Sequence, residues 1–142
     1  MERKEFIKAC GFACLSGTFM MSVFEGCASS KSISGTIANS NLVVPANAFQ
    51  GKNAFLKYVI VRQPELAFPI CLYRFSNTEY AALFMRCTHQ GAELQVFGDK
   101  LECPAHGSVF NNHGVVQNGP ADTNLRTFPV IVQNDQLLIS LK

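Results

Sequence analysis

Past its first thirty residues the chain alternates short apolar runs with clusters of turn formers. NAFLKYVIV (53–61), FPICLYRF (68–75), YAALFMRC (80–87), FPVIVQ (128–133) and LLISL (137–141) are rich in β-branched and aromatic side chains, which suit a pleated, half-buried surface. No long stretch keeps a helical period. Gly98-Asp99 predicts a hairpin turn joining LQVF to LEC, and Asn134-Asp135 predicts another between the last two strands. Short runs at close spacing predict an all-β fold, a sandwich or barrel-like domain over 42–142. Residues 28–41, rich in Ser, Asn and Gly, read as a flexible spacer leading into it.

Residues 1–27 break the pattern. MERKEFIK is a charged start, and ACGFACLSGTFMMSVF is an apolar stretch of sixteen residues interrupted by small ones. A membrane-spanning helix needs about 20 apolar residues, so this length suits the apolar region of an export signal instead. Arg3, Lys4, Phe6, Ile7 and Lys8 resemble a twin-arginine export signal, with lysine in place of the second arginine. Gly26 precedes Cys27 and serines follow, resembling the cleavage and lipid-attachment site of bacterial lipoproteins. Acylated Cys27 would tether the domain to a membrane surface without a spanning helix. An uncleaved anchor, ordinary cleavage and no export are the alternatives. The expected location is exported, attached to the bacterial cell-envelope membrane, with the domain outside the cytoplasm.

Composition narrows the class. At 142 residues, 48% apolar and 15% charged, the chain suits one compact domain with a hydrophobic core. In the front segment Arg3, Lys4 and Lys8 balance Glu2, Glu5 and Glu25, so the net charge of +2 belongs to the remainder. No basic patch argues for nucleic acid. Of the six cysteines, Cys10, Cys14 and Cys27 lie in the front segment. The other three, Cys71, Cys87 and Cys103, cannot form a disulfide framework. Cys71, inside PICLYRF, reads as a small buried hydrophobe.

CTHQG (87–91) and CPAHGS (103–108) use two of the three histidines, and thirteen residues lie between His89 and Cys103. The predicted turn between LQVF and LEC folds that interval back and brings the two pairs to one end of a hairpin. Thiolate and imidazole together suit zinc, copper or an iron-sulfur centre and are poor partners for magnesium or calcium. Gly91 and Gly107 allow the tight backbone path that wraps a buried inorganic core.

The two segments resemble the halves of the Rieske motif, C-x-H and C-x-x-H, which ligates one 2Fe-2S cluster. The resemblance implies a Rieske-type antiparallel β sandwich with a cluster-binding subdomain made of two loops. It also implies that Cys87 and Cys103 bind one iron and His89 and His106 the other. Potentials of such centres run from roughly −150 to +300 mV. High-potential members add a disulfide between the loops, but Ala92 and Ala105 stand here. They also place a serine hydroxyl on a bridging sulfide and a tyrosine hydroxyl on a ligand sulfur. Ser108, next to Gly107, matches the serine, whereas Phe110 stands in the tyrosine position. Fewer hydrogen bonds to sulfur stabilise the reduced cluster less, which implies an intermediate potential. Asn118-Gly119-Pro120-Ala121 resembles the proline loop covering the cluster, and His113 reads as an exposed turn histidine.

The implied function is one-electron transfer, without a small-molecule substrate of the chain's own. A Rieske oxygenase reacts at a second, mononuclear iron held by two histidines and a carboxylate, and only His113 remains for it. The expected partner is a redox protein, a cytochrome or a larger oxidoreductase subunit. The chain then resembles the iron-sulfur protein of cytochrome bc complexes or the small subunit of arsenite oxidase. A ferredoxin component feeding an oxygenase is the alternative. A structural zinc module made from the same four side chains is a remote one.

Overall fold

The computed structural model describes residues 30–142. In chain order the strands are β1 Ser32–Ser34, β2 Thr36–Ala38, β3 Asn41–Pro45, β4 Tyr58–Arg62, β5 Ile70–Arg74, β6 Tyr80–Phe84 and β7 Gln95–Phe97. They continue with β8 Lys100–Glu102, β9 Val109–Asn111, β10 Val116–Asn118, β11 Thr127–Phe128, β12 Val130–Gln133 and β13 Gln136–Ser140, and one 3-10 turn covers Ala46–Phe49. Three sheets result, ordered β1-β4-β5-β6-β11, β12-β13-β3-β2 and β10-β9-β8-β7.

The first of these sheets is buried on both faces. Val59, Val61, Ile70, Leu72 and Ala82 pack with Leu42, Val44, Leu137 and Ile139 of the second sheet. From the opposite face of the same strands, Ile60, Cys71, Tyr73 and Leu83 pack with Leu94, Leu101 and Phe110 of the third sheet and its approach. Two cores thus share β4–β6, which is why these strands read as unbroken apolar runs rather than as an alternation. Cys71 lies in the second core, fully buried.

The predicted turns form as expected. Gly98 has φ +59°, and Asn134 and Asp135 have φ 51° and 57°, the left-handed pair of a two-residue hairpin whose twist matches its strands. Other expectations are corrected. Residues 28–41 are not a spacer throughout, because β1 and β2 occupy 32–38. Ile33 and Ile37 pack against the first core while their Ser and Thr neighbours face water, a period of two carried by small side chains.

Nor is the sandwich wholly antiparallel, since β1 runs parallel to β4. The chain passes from one sheet to the next at Gly35 without reversing. There a Cβ would lie 2.5 Å from Leu42 Cδ1 and 2.9 Å from Val61 Cγ1, so only glycine fits unless neighbours move. The run expected at 53–61 is strand only from Tyr58. Before it, Gly51 N–H donates to Ala54 O (3.1 Å) in a tight loop that leaves Phe55 58% exposed beneath the Arg74 guanidinium.

Candidate metal centre

Two loops of one design carry the cysteine–histidine pairs, Cys87–Gly91 between β6 and β7 and Cys103–Gly107 between β8 and β9. In each, the glycine N–H donates to the cysteine carbonyl, Gly91 to Cys87 and Gly107 to Cys103, both at 2.9 Å. The cysteine N–H donates to the residue after the glycine, Cys87 to Ala92 O and Cys103 to Ser108 O, both at 2.8 Å. Closing this turn needs a left-handed glycine, and φ is +79° at Gly91 and +80° at Gly107. The β7–β8 hairpin, with Gln95 opposite Glu102, sets the loops side by side at its open end.

Burial separates the two ligand types. Cys87 and Cys103 are 2% and 3% exposed, sit in the second core and are not joined by a disulfide. His89 and His106 are exposed, their rings meeting edge to face with centroids 4.9 Å apart. The histidine is third in one loop and fourth in the other, yet the imidazoles meet and so do the thiols. Burial alone would push the Cys103 thiol up. The backbone N–H groups of His106 and Ala105, and the Cys87 thiol, outweigh it and hold Cys103 below its ordinary value, a concavity of amides that favours anionic sulfur.

A third loop closes over these two and is tied to both. Thr88 Oγ1 donates to Thr123 O (2.6 Å), Ala121 N–H donates to Ser108 Oγ (3.0 Å), and Asn118 Nδ2 donates to Gly107 O (3.5 Å). Pro120 lies exposed at its rim and Ala121 is buried beneath. Ser108 is fully buried, and its own hydroxyl proton has no acceptor among the described residues. Phe110, also fully buried, presents no hydroxyl. Ala92 is half-buried and Ala105 exposed, and among the described residues no disulfide joins the two loops.

The donor set fits a binuclear iron-sulfur group. Among the described residues, no three His, Cys, Asp or Glu side chains gather where one ion could be held. The four are divided two and two, as a cluster with thiolates on one iron and imidazoles on the other uses them, and unlike the single tetrahedral shell of structural zinc. Amide donors aimed at a cysteine sulfur and a buried hydroxyl with an unspent proton are what bridging and terminal sulfur would accept.

His113 lies apart, exposed in the β9–β10 turn and stacked on Phe75 with centroids 4.6 Å apart. Sequence reasoning missed the role of Thr88, and it placed Asn118 in the covering loop without its hydrogen bond to Gly107 O. A hydroxyl lying between two ligand candidates, and an amide heading a Gly-Pro loop, were the available signals. Cys27 and the export or lipoprotein signal over 1–27 lie outside the described residues. No helix among the described residues is long and apolar enough to cross a membrane.

The chain is similar to known proteins. The model of the family described as "Rieske [2Fe-2S] domain" matches residues 41–129. Methylxanthine N1-demethylase NdmA of Pseudomonas putida is 43% identical over 49 residues, 32% of this chain and 14% of that protein. The cytochrome b6-f complex iron-sulfur subunit of Prochlorococcus marinus (strain MIT 9303) is 38% identical over 56 residues, 38% of this chain and 32% of that one. The chain therefore spans less than a third of the length of either relative. Among solved structures, the cyanobacterial plasma membrane Rieske protein PetC3 from Synechocystis PCC 6803 is similar, with a TM-score of 0.50 at 27% identity over 58% of this chain and 85% of that one. A chain of the complex of reduced oxygenase and oxidized ferredoxin in carbazole 1,9a-dioxygenase gives 0.52 at 27% identity, over 70% of this chain and 91% of that one.

Proposed function

The chain belongs to the Rieske 2Fe-2S domain family, and from that premise we propose that it is a one-electron carrier acting as a membrane-tethered or periplasmic subunit of a respiratory or oxidase chain. When bound, the cluster supplies the uptake and release of a single electron. Cys87 and Cys103 would hold one iron in the buried core, and His89 and His106 would hold the other at the surface. The observation that carries this reading is the division of the four side chains, sulfur inside and imidazole outside with rings 4.9 Å apart.

Each part of the chain then has work to do. The second core keeps water from the thiolates, the amides of His106 and Ala105 stabilise anionic sulfur, and the exposed imidazoles give a partner its nearest approach. The three tied loops hold this geometry fixed, so little reorganisation accompanies a change of charge. The envelope location rests on the charged start, apolar stretch and Gly26-Cys27 junction. Mass spectrometry of membrane-extracted protein tests it: an acylated Cys27 terminus supports it, and an intact residue 1 rules out lipoprotein processing.

A second reading, a ferredoxin component delivering electrons to an oxygenase, draws on the similarity to a chain of the carbazole dioxygenase–ferredoxin complex over 70% of this one. Low-temperature electron paramagnetic resonance with iron and zinc analysis tests the carrier reading common to both. A rhombic signal on reduction and about two irons per chain are expected, and Cys87→Ser should abolish the signal. One zinc per chain and silence in both states would overturn it.

A further inference from the structure

The first sheet carries the ligand loops at one end and receives the chain at the other. The first ligand loop follows β6 where Arg62, at the close of β4, pairs with Glu93 at 2.9 Å. Roughly 16 Å of strand away, β4 opens at Tyr58 opposite Tyr73. The tip of the β7–β8 hairpin is fixed at this second end, where Tyr73 Oη donates to Gly98 O (2.9 Å). Lys31 enters there too. Its carbonyl accepts from Ile60 N–H (2.9 Å), and its ammonium donates to Ala48 O (2.8 Å), just before the loop that turns Phe55 outward. Phe55 and Phe97 are 58% and 55% exposed, and Val132 shares a groove with Phe55 and Arg74. Lys31, Lys52, Lys57, Arg74 and Lys100 stand at this end against Glu79, Asp99 and Asp135. The described charges elsewhere balance, so the net +2 gathers here.

We propose that this end is a membrane-contacting face: Phe55 enters the headgroup boundary of an anionic phospholipid surface, with Phe97 and Val132 beside it, and the surrounding cations meet lipid phosphates. The proposal rests on the envelope-tether reading and adds an orientation to it. Cys27 and Lys31 are four residues apart, so acyl chains on Cys27 hold Lys31 within about 14 Å of the lipid boundary whatever path the chain takes. Acyl chains retain a domain without choosing which of its faces turns to the lipid. The face beside Lys31 is the one brought within reach, and a tether makes even a weak contact count by raising its effective concentration. The side chains suit that place. Phe55 leaves water favourably, and the Arg74 guanidinium, 4.2 Å from its ring centroid, keeps its charge at the level of the phosphates while its stem stays apolar. Each lysine near an anionic surface adds an attraction that salt confines to short range. The ligand loops are then at the end turned away from the lipid.

The chain has no tryptophan, which gives the test a clean probe. Cluster-loaded chain, extracted from membranes and returned to phosphatidylglycerol vesicles, carries either Phe55→Trp or, at the ligand-loop end, Glu65→Trp. Brominated lipid should quench the first indole about threefold more than the second, and only the first should shift to the blue. Equal quenching, or more at Glu65→Trp, overturns the proposal. Lys52→Glu, or phosphatidylcholine in place of phosphatidylglycerol, should lower the Phe55→Trp quenching about twofold or more. Indifference to both overturns the anionic surface. A blue shift that needs no vesicles and grows with protein concentration assigns the face to a second copy of the chain, and overturns it as well. In oriented multilayers the paramagnetic signal should vary with the angle to the field. Phe55→Ser should leave its g values alone and remove most of that variation; undiminished variation overturns the proposal. Failure of the tether reading looks different, because the chain then keeps an unacylated residue 1 and does not float with the vesicles, and the proposal falls with it.

Discussion

Thr88 stands between two ligand candidates, and its hydroxyl reaches across to Thr123 O at 2.6 Å. A hydrogen bond of this kind contributes about 1 kcal/mol, or roughly a fivefold change in an opening equilibrium. Thr88→Val keeps the shape and loses the bond, so iron should leave to a chelator about fivefold faster, read from the decay of visible absorbance, while Thr88→Ser should keep the original rate. Phe110 offers the converse experiment. Giving it a hydroxyl, Phe110→Tyr, should add a charge-assisted bond of about 1.5 kcal/mol to sulfur, mostly to the reduced form, raising the potential by roughly 60 mV for a one-electron couple. A redox titration followed by paramagnetic resonance checks it; an unchanged potential means the hydroxyl does not reach sulfur. Cys71, fully buried, has its thiol pushed up by burial despite a hydrogen bond with Tyr73. Its folded value lies above the unfolded one, so folded chains keep a proton that unfolded chains lose. Stability is therefore full below about pH 8.5 and falls above it, by up to about 1.4 kcal/mol per pH unit from this group. Denaturation at pH 7.5, 9 and 10 should show that slope, and Cys71→Ala should flatten it.

At the scale of elements, two glycines separate two kinds of constraint. Gly107 has φ +80° and nothing within 4 Å of its missing Cβ, so Gly107→Ala meets only backbone strain, about 1–2 kcal/mol, placed inside the second ligand loop. Gly35 is confined by Leu42 and Val61, and Gly35→Ala overpacks the sheet crossing by about 1–3 kcal/mol. The first should alter the paramagnetic spectrum and cluster occupancy. The second should lower the melting temperature and leave the spectrum as it was; thermal unfolding beside resonance spectra distinguishes them. The same elements show what sequence could convey. Turn chemistry was legible because Gly98-Asp99 and Asn134-Asp135 are locally determined, and the ligand pairs were legible because spacing and the hairpin between them dictate their meeting. β1 and β2 were hidden because Ser, Thr and Gly suggest a linker even when Ile33 and Ile37 keep a strand's period. β9 and β10, three residues each, are too short to carry a pattern, and NAFLK (53–57) is apolar without being buried. The ties made by Thr88 and Asn118 depend on where a loop more than ten residues away lies, which no local pattern states.

For the molecule as a whole, the all-β class follows from composition and run length, but the division into two cores does not. A strand buried on both faces has no period, so ICLYR alone cannot tell that Ile70 and Leu72 serve one core and Cys71 and Tyr73 the other. That division governs what happens when metal is removed. The first core is closed by β3, β5 and β13, five residues each, with Phe49, Leu137 and Ile139 fully buried between them. The third sheet has only three-residue strands, the short end of the range for strands, and metal ligation is a folding energy where local packing is thin. Taking iron out by anaerobic chelation should therefore speed amide exchange in β7–β10 and in the third loop by orders of magnitude, while amides of β3, β5 and β13 stay protected. Loss of protection in both regions together would mean that Tyr73 and Leu83, packed beneath the ligand loops, transmit the change through the shared strands and that the two cores unfold as one unit. Retention in both would mean that Leu94, Leu101 and Phe110 hold the ligand loops without metal. In that case the site is formed before the cluster arrives, and the energy of ligation goes into binding rather than folding.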